Sequence, residues 1–178
     1  MTALHAIPYF FSENGNIPNH PDFPLLLYPK ALPAEEDLET LFKEALRRNH
    51  WGGTWVNGVF NYHHYHSTAH EVLGVLNGTA QLIFGGPGGR EVEVQAGDMV
   101  VIPAGVGHYR RDSSSNFQVI GAYPTGQEDY DTCTEADNVE EKKQHIQAVP
   151  LPQADPLGGS RGPLLEYWKK LNPQVEVF

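Results

Sequence analysis

The sequence predicts one all-β domain, a sandwich or barrel with a helix ahead of the sheet and short helices behind it. Three observations carry that expectation. Between Trp51 and Tyr123 apolar residues recur with period two, as in strands with one buried face. Turn-forming clusters interrupt this region at short intervals: Asn77-Gly78, Gly85-Gly86-Pro87-Gly88-Gly89, Ala96-Gly97, Pro103-Ala104-Gly105 and Ser113-Ser114-Ser115-Asn116. The length, 178 residues without internal repeats, suits one filled core and is short for two.

Residues 1–50 read as an N-terminal arm followed by a helix. The arm is punctuated by Pro18, Pro21, Pro24, Pro29 and Pro33 and carries short extended pieces such as Leu25-Leu26-Leu27-Tyr28. It suits a sheet edge, its own or a partner's. The helix is expected over Ala34 to Arg48, where Leu38, Leu41, Phe42, Ala45 and Leu46 recur at helical spacing. Glu35, Glu36 and Asp37 sit at its positive end and Arg47 and Arg48 at its negative end.

Residues 51–123 form the expected barrel core. Its strands are Trp55–His66, Glu71–Leu76, Thr79–Phe84, Arg90–Gln95, Asp98–Ile102, Gly107–Asp112 and Phe117–Tyr123. Residues 124–178 are acidic, irregular and Pro-rich, and are expected to wrap the barrel. A short helix is expected over Val139–Ala148. Pro163 opens another, with Leu164, Leu165, Trp168 and Leu171 on its buried side.

Composition narrows the function. Twelve basic against 22 acidic residues give a formal charge of −10, which repels phosphate backbones and anionic membrane surfaces. Cys133 is the only cysteine, so neither an intrachain disulfide nor a cysteine-based zinc site can form. With no base near it in sequence, Cys133 reads as inert. The first residues lack a basic stretch and an apolar run, so a cytoplasmic protein without a signal peptide is expected.

The chemistry is concentrated in two stretches. Four of nine histidines fall between residues 63 and 70, and His108 follows a Pro/Gly turn about forty residues on. In a strand, His64 and His66 share a face, together with Val56, Phe60 and Tyr62, while His63 points away. Ser67-Thr68-Ala69 interrupts that strand. A two-residue hairpin at Asn77-Gly78 would set Glu71 opposite Phe84 and put Glu71, Leu73, Val75, Ala80, Leu82 and Phe84 on the inward face. A bare carboxylate there costs several kcal/mol unless paired or metal-bound. A divalent ion shared with His64, His66 and His108 resolves that cost. His70 is the substitute ligand; its other reading is a surface or sheet-packing histidine.

These residues resemble the cupin superfamily. Its first motif, G-x5-H-x-H-x(3,4)-E-x6-G, is matched by Gly58, His64, His66, Glu71 and Gly78. Its second, G-x5-P-x-G-x2-H-x3-N, is matched by Gly97, Pro103, Gly105 and His108, with Asp112 in place of the asparagine. The resemblance covers about residues 55–123 and implies a jelly-roll β-barrel, often dimeric through its N-terminal arm. It carries the metal site of the family onto His64, His66, Glu71 and His108. The flanking arms look similar to small bacterial single-domain cupins with no settled reaction.

Three imidazoles and a carboxylate leave two positions open on an octahedral ion, which suits Fe(II), Mn(II) or Ni(II), with Zn(II) also compatible. The expected activity is that of a metal-dependent enzyme, a dioxygenase or related oxidoreductase, on a small organic substrate. The alternatives are a non-catalytic small-ligand or metal-binding cupin and a metal-dependent isomerase or decarboxylase. Tyr62 and Arg110 are candidate catalytic residues. Tyr62 shares the parity of the histidines, and Arg110 shares that of His108 and could hold a substrate carboxylate.

Overall fold

A computed structural model describes residues 3–169. Leu171, expected on the buried side of the last helix, lies outside the described residues. In chain order the elements are β1 (Ile7–Tyr9), β2 (Leu25–Tyr28), α1 (Leu38–Arg48), β3 (Trp51–Asn57), β4 (Glu71–Asn77), β5 (Thr79–Phe84), β6 (Arg90–Gln95), β7 (Met99–Ile102), β8 (His108–Ser113), β9 (Gln118–Pro124), α2 (Val139–Ala148) and α3 (Leu164–Tyr167).

The strands form two antiparallel sheets. The larger has the order β1-β2-β7-β4-β9-β3 and the smaller β6-β5-β8. The chain passes from one sheet to the other at β4–β5, β6–β7, β7–β8 and β8–β9. That alternation is the winding of a jelly roll, here as two facing sheets. The N-terminal arm supplies the larger sheet directly, because β2 pairs with β7, Leu27 opposite Val100.

Two cores follow from strand parity. Leu73, Val75, Ala80, Leu82, Phe84, Val94, Val100 and Val119 fill the space between the sheets. On the outer face of the larger sheet, Val72, Leu76, Met99 and Ile120 pack with Phe42 and Leu46 of α1 and with Leu164 and Trp168. The C-terminal segment is tied down over this face. Trp168 Nε1 donates to Pro24 O (2.8 Å), and Tyr28 Oη donates to Asp155 Oδ2 (2.6 Å), whose carboxylate also caps the turn leading to α3.

Three expectations need correction. Asn77-Gly78 is not a hairpin between paired strands: β4 pairs with β7 and β9, and β5 with β6 and β8. Gly78, at φ +74, turns the chain between sheets. Leu73, Val75, Ala80, Leu82 and Phe84 nevertheless face inward, since the alternation of side chains is kept on both sides of the turn. The expected strand Trp55–His66 is instead β3, ending at Asn57, followed by an irregular segment with isolated bridges at His64 and Tyr65. Finally, α1 begins at Leu38, where Asp37 accepts a hydrogen bond from Thr40 N and caps it.

Candidate metal centre

The irregular segment between β3 and β4 is fixed by contacts with the turn before β8. His64 N donates to His108 O (3.2 Å) and His108 N donates to His64 O (2.9 Å), so the two histidines face each other across an isolated bridge. Gly105 N donates to His66 O at 2.7 Å. Gly105 has φ +88, and a Cβ there would strike the Asn19 carbonyl. The Pro103-Ala104-Gly105 turn thus requires its glycine in order to hold His66 and His108 together.

The nitrogens of His64, His66 and His108 lie within 4.8 Å of one another, and all three residues are buried. Each Nδ1 meets a backbone carbonyl: His64 at Tyr62 O (3.0 Å), His66 at Asp131 O (2.6 Å) and His108 at Val106 O (3.1 Å). A carbonyl only accepts, so each Nδ1 carries hydrogen and each Nε2 keeps its lone pair in the neutral ring. Glu71 opens β4 with its side chain between the sheets. Its Oε2 lies 3.4 Å from His66 Nε2 and its Oε1 3.3 Å from His108 Nε2.

Tyr123, at the end of β9, donates from Oη to Glu71 Oε2 at 2.7 Å and accepts from Trp55 Nε1 at 2.8 Å. Gly121 makes this possible, because a Cβ there would occupy the Trp55 ring. The Asp131 carbonyl is held in turn by the Asp131 side chain, which accepts from Ser67 N (2.7 Å), Ser67 Oγ and Cys133 Sγ.

The electrostatics fit a cation between these groups. Burial, then the neighbouring His108, lowers the His64 pKa to about 3, so that ring is neutral. Burial also works to lower His66, but the Glu71 carboxylate outweighs it and the net shift is upward. For Glu71 burial works to raise the pKa, while His66 and His108 hold it below the usual carboxylate range. A carboxylate facing two imidazole lone pairs needs positive charge among them, from a proton or a metal ion. The three histidine nitrogens are a donor set of the kind that holds borderline divalent metals, with the Glu71 carboxylate beside two of them.

A cavity of about 710 Å³ opens from this cluster, with Arg110 and the aromatic residues Trp55, Phe60, Phe117 and Tyr130 in its walls. Tyr62 is not among its lining residues. Tyr62 is exposed and stacked on Phe60 (ring centroids 5.0 Å), because no strand extends its parity to the histidines; its carbonyl touches His64. His63 stacks on Tyr109, away from the cluster. His70 is the sheet-packing histidine of the two readings and is not placed to replace Glu71. It is fully buried on the outer face, beside Phe23 and Trp168, with its Nδ1 accepting from Ala104 N (2.9 Å). Cys133 is buried, its thiol pushed up to about 12 by burial and Asp131, which fits an inert residue.

Sequence reasoning missed Tyr123, Trp55, Tyr130 and Asp131. Tyr123 was within reach of it: Val119, Gly121 and Tyr123 share the inward parity, and Leu73 opposite Gly121 leads to Glu71 beside Tyr123. Asp131 acts through its backbone from an irregular acidic loop, and no pattern marks it.

The chain belongs to the cupin family, whose model matches residues 56–140. It is 47% identical over 163 residues to "Uncharacterized protein YjlB" of Bacillus subtilis (strain 168), covering 91% of this chain and 96% of that one. Among solved structures it is similar to the acireductone dioxygenase of Bacillus anthracis (18% identity, 58% of this chain and 79% of that one, TM-score 0.39). It is also similar to the oxalate decarboxylase OxdC of Bacillus subtilis (16% identity, TM-score 0.33), covering 64% of this chain and 24% of that one. No helix among the described residues is long and apolar enough to cross a membrane.

Proposed function

We propose that His64, His66, His108 and Glu71 hold a divalent transition metal, Fe, Mn or Ni before Zn, and that the protein is a metal-dependent enzyme acting on a small organic substrate. A dioxygenase or related oxidoreductase is the activity this reading favours. The observation that carries it is the commitment of all three Nδ1 atoms to backbone carbonyls, which leaves three Nε2 lone pairs, those of His66 and His108 within 3.4 Å of the buried Glu71 carboxylate. Such an ion would supply a Lewis acid or a redox relay.

The chain's own residues have separable tasks. The carbonyls of Tyr62, Asp131 and Val106 orient the rings, and Tyr123 holds one oxygen of Glu71. The aromatic walls limit water and give an apolar substrate a place to lie. The same reading takes the protein to be a cytoplasmic homodimer, with β1 an open edge of the larger sheet; sedimentation would check the oligomer.

The test is elemental analysis of the purified protein, followed by oxygen uptake of the metal-loaded protein against catechols, thiols and keto acids. Stoichiometric metal with turnover of one class supports the enzyme. Metal without turnover or bond rearrangement across the panel favours the non-catalytic binder. Turnover without oxygen uptake favours isomerase or decarboxylase chemistry.

A further inference from the structure

We propose that the cavity takes a small organic acid with an apolar or aromatic body, its carboxylate held by Arg110. The idea deepens the metal-site reading and rests on it, since a second oxygen of the acid would meet the metal centre.

Arg110 lies two residues beyond His108 on β8, on the same inward face. Such positions are about 6.6 Å apart along a strand. A molecule of a few bonds can therefore reach both. The guanidinium is already aimed: Nε donates to Val59 O (2.9 Å) and Nη1 to Ser113 Oγ (3.3 Å). Those bonds use two of its five donors and restrain the fork, leaving Nη2 for a ligand.

What is missing around Arg110 is a carboxylate. Among the described residues no acid stands within ion-pair distance of it. The next residue, Arg111, is exposed and pairs with Glu91 at 2.8 Å. Shortage is not the reason, because the chain has 22 acidic residues against 12 basic ones. The one carboxylate in the cavity wall, Glu71, is occupied by His66, His108 and Tyr123. A half-buried guanidinium left without an acid, in a cavity with aromatic side chains on part of its wall, is matched by an anion from outside, and its planar fork fits a carboxylate.

The body of the ligand is read from the other walls. Trp55, Phe60, Phe117 and Tyr130 give flat apolar surface. Phe60 remains 51% exposed, its ring edge-on to His64. At about 710 Å³ the cavity has room for more than a two-carbon acid.

Calorimetric titration of the manganese-loaded protein with phenylpyruvate, its methyl ester and pyruvate tests this. Phenylpyruvate should bind at least about tenfold more tightly than the ester, as a charge-assisted pair implies, and more tightly than pyruvate. In Arg110→Gln the preference for acid over ester should vanish with metal content unchanged, and Arg110→Lys should restore part of it. Equal binding of acid and ester, retention of the preference in a folded Arg110→Gln protein, or no binding of either acid overturns the proposal. Pyruvate binding as tightly as phenylpyruvate overturns the apolar body. A protein that takes up no metal but discriminates through Arg110 sinks the metal reading alone. A metal-loaded protein that does not discriminate sinks this one alone.

Discussion

Two groups of buried histidines lie on opposite faces of the larger sheet, and they are built in opposite ways. Between the sheets, His64, His66 and His108 turn each Nδ1 to a carbonyl oxygen. On the outer face, His20 and His70 turn Nδ1 to backbone N–H groups: His20 accepts from Asp22 and Phe23, and His70 from Ala104. The first arrangement puts the ring hydrogen on Nδ1 and the lone pair on Nε2. The second puts the lone pair on Nδ1, where the backbone uses it, and the hydrogen on Nε2. Burial and residue type are shared; the backbone group that each ring meets decides whether it can act as a ligand.

The largest effect expected from this difference is on metal content. His66→Ala should lose most bound metal, by elemental analysis, while circular dichroism shows a folded barrel. His63→Ala should keep its metal. Full occupancy in His66→Ala would remove the inner group from consideration as a site. The outer group should answer in the other currency, stability. His70→Ala removes a fully buried ring packed on Phe23 and Trp168 and should cost about 3 kcal/mol in denaturant unfolding, with metal content unchanged. A loss of metal without loss of stability would erase the contrast.

The same contrast marks how far the sequence could be read. Parity and the apolar character of one face put Glu71 between the sheets and His70 outside, and neither depends on which strands pair, so the inward set is legible although the hairpin does not form. Which strands pair was not legible, because Asn77-Gly78 suits a hairpin and a crossing between sheets equally well. Whether a buried histidine is ligand or packing depends on the carbonyl or N–H its ring meets. For His66 and His70 that group comes from distant segments, at Asp131 and Ala104. For His64 and His108 it is a loop carbonyl two residues earlier, whose facing no periodicity reveals. Only the spacing of the cupin motifs conveyed that, by resemblance. The cavity wall from Tyr130 escaped entirely, since an aperiodic acidic loop gives no facing.

A middle-sized effect concerns protonation. The His64 pKa is lowered to about 3 by burial and His108, against an ordinary 6.5. In the metal-free protein the unfolded chain therefore takes up this proton first as pH falls. The contribution of neutral His64 is complete above pH 6.5 and is lost progressively toward pH 3. His64→Gln removes the dependence. The stability advantage of the natural protein over the variant should shrink by on the order of 2 kcal/mol from pH 7 to pH 5, in urea titrations with chelator present. A constant difference would mean that His64 is not buried as a neutral ring.

The smallest effect separates the two roles open to Glu71 on the inner face. Tyr123→Phe removes the hydroxyl that donates to Glu71 Oε2 and accepts from Trp55 Nε1. Loss of these bonds should cost about 1 kcal/mol of stability whatever Glu71 does. If Glu71 is a ligand, freeing its oxygen should also weaken metal binding by about tenfold in competition with a chelator. If Glu71 only balances charge beside the three histidines, stability should fall while metal affinity stays within about twofold. The two readouts divide because phenylalanine keeps the ring that meets His66 edge-on (centroids 6.2 Å) and removes only the hydroxyl, whose hydrogen bonds reach Glu71 and Trp55 and none of the three histidines.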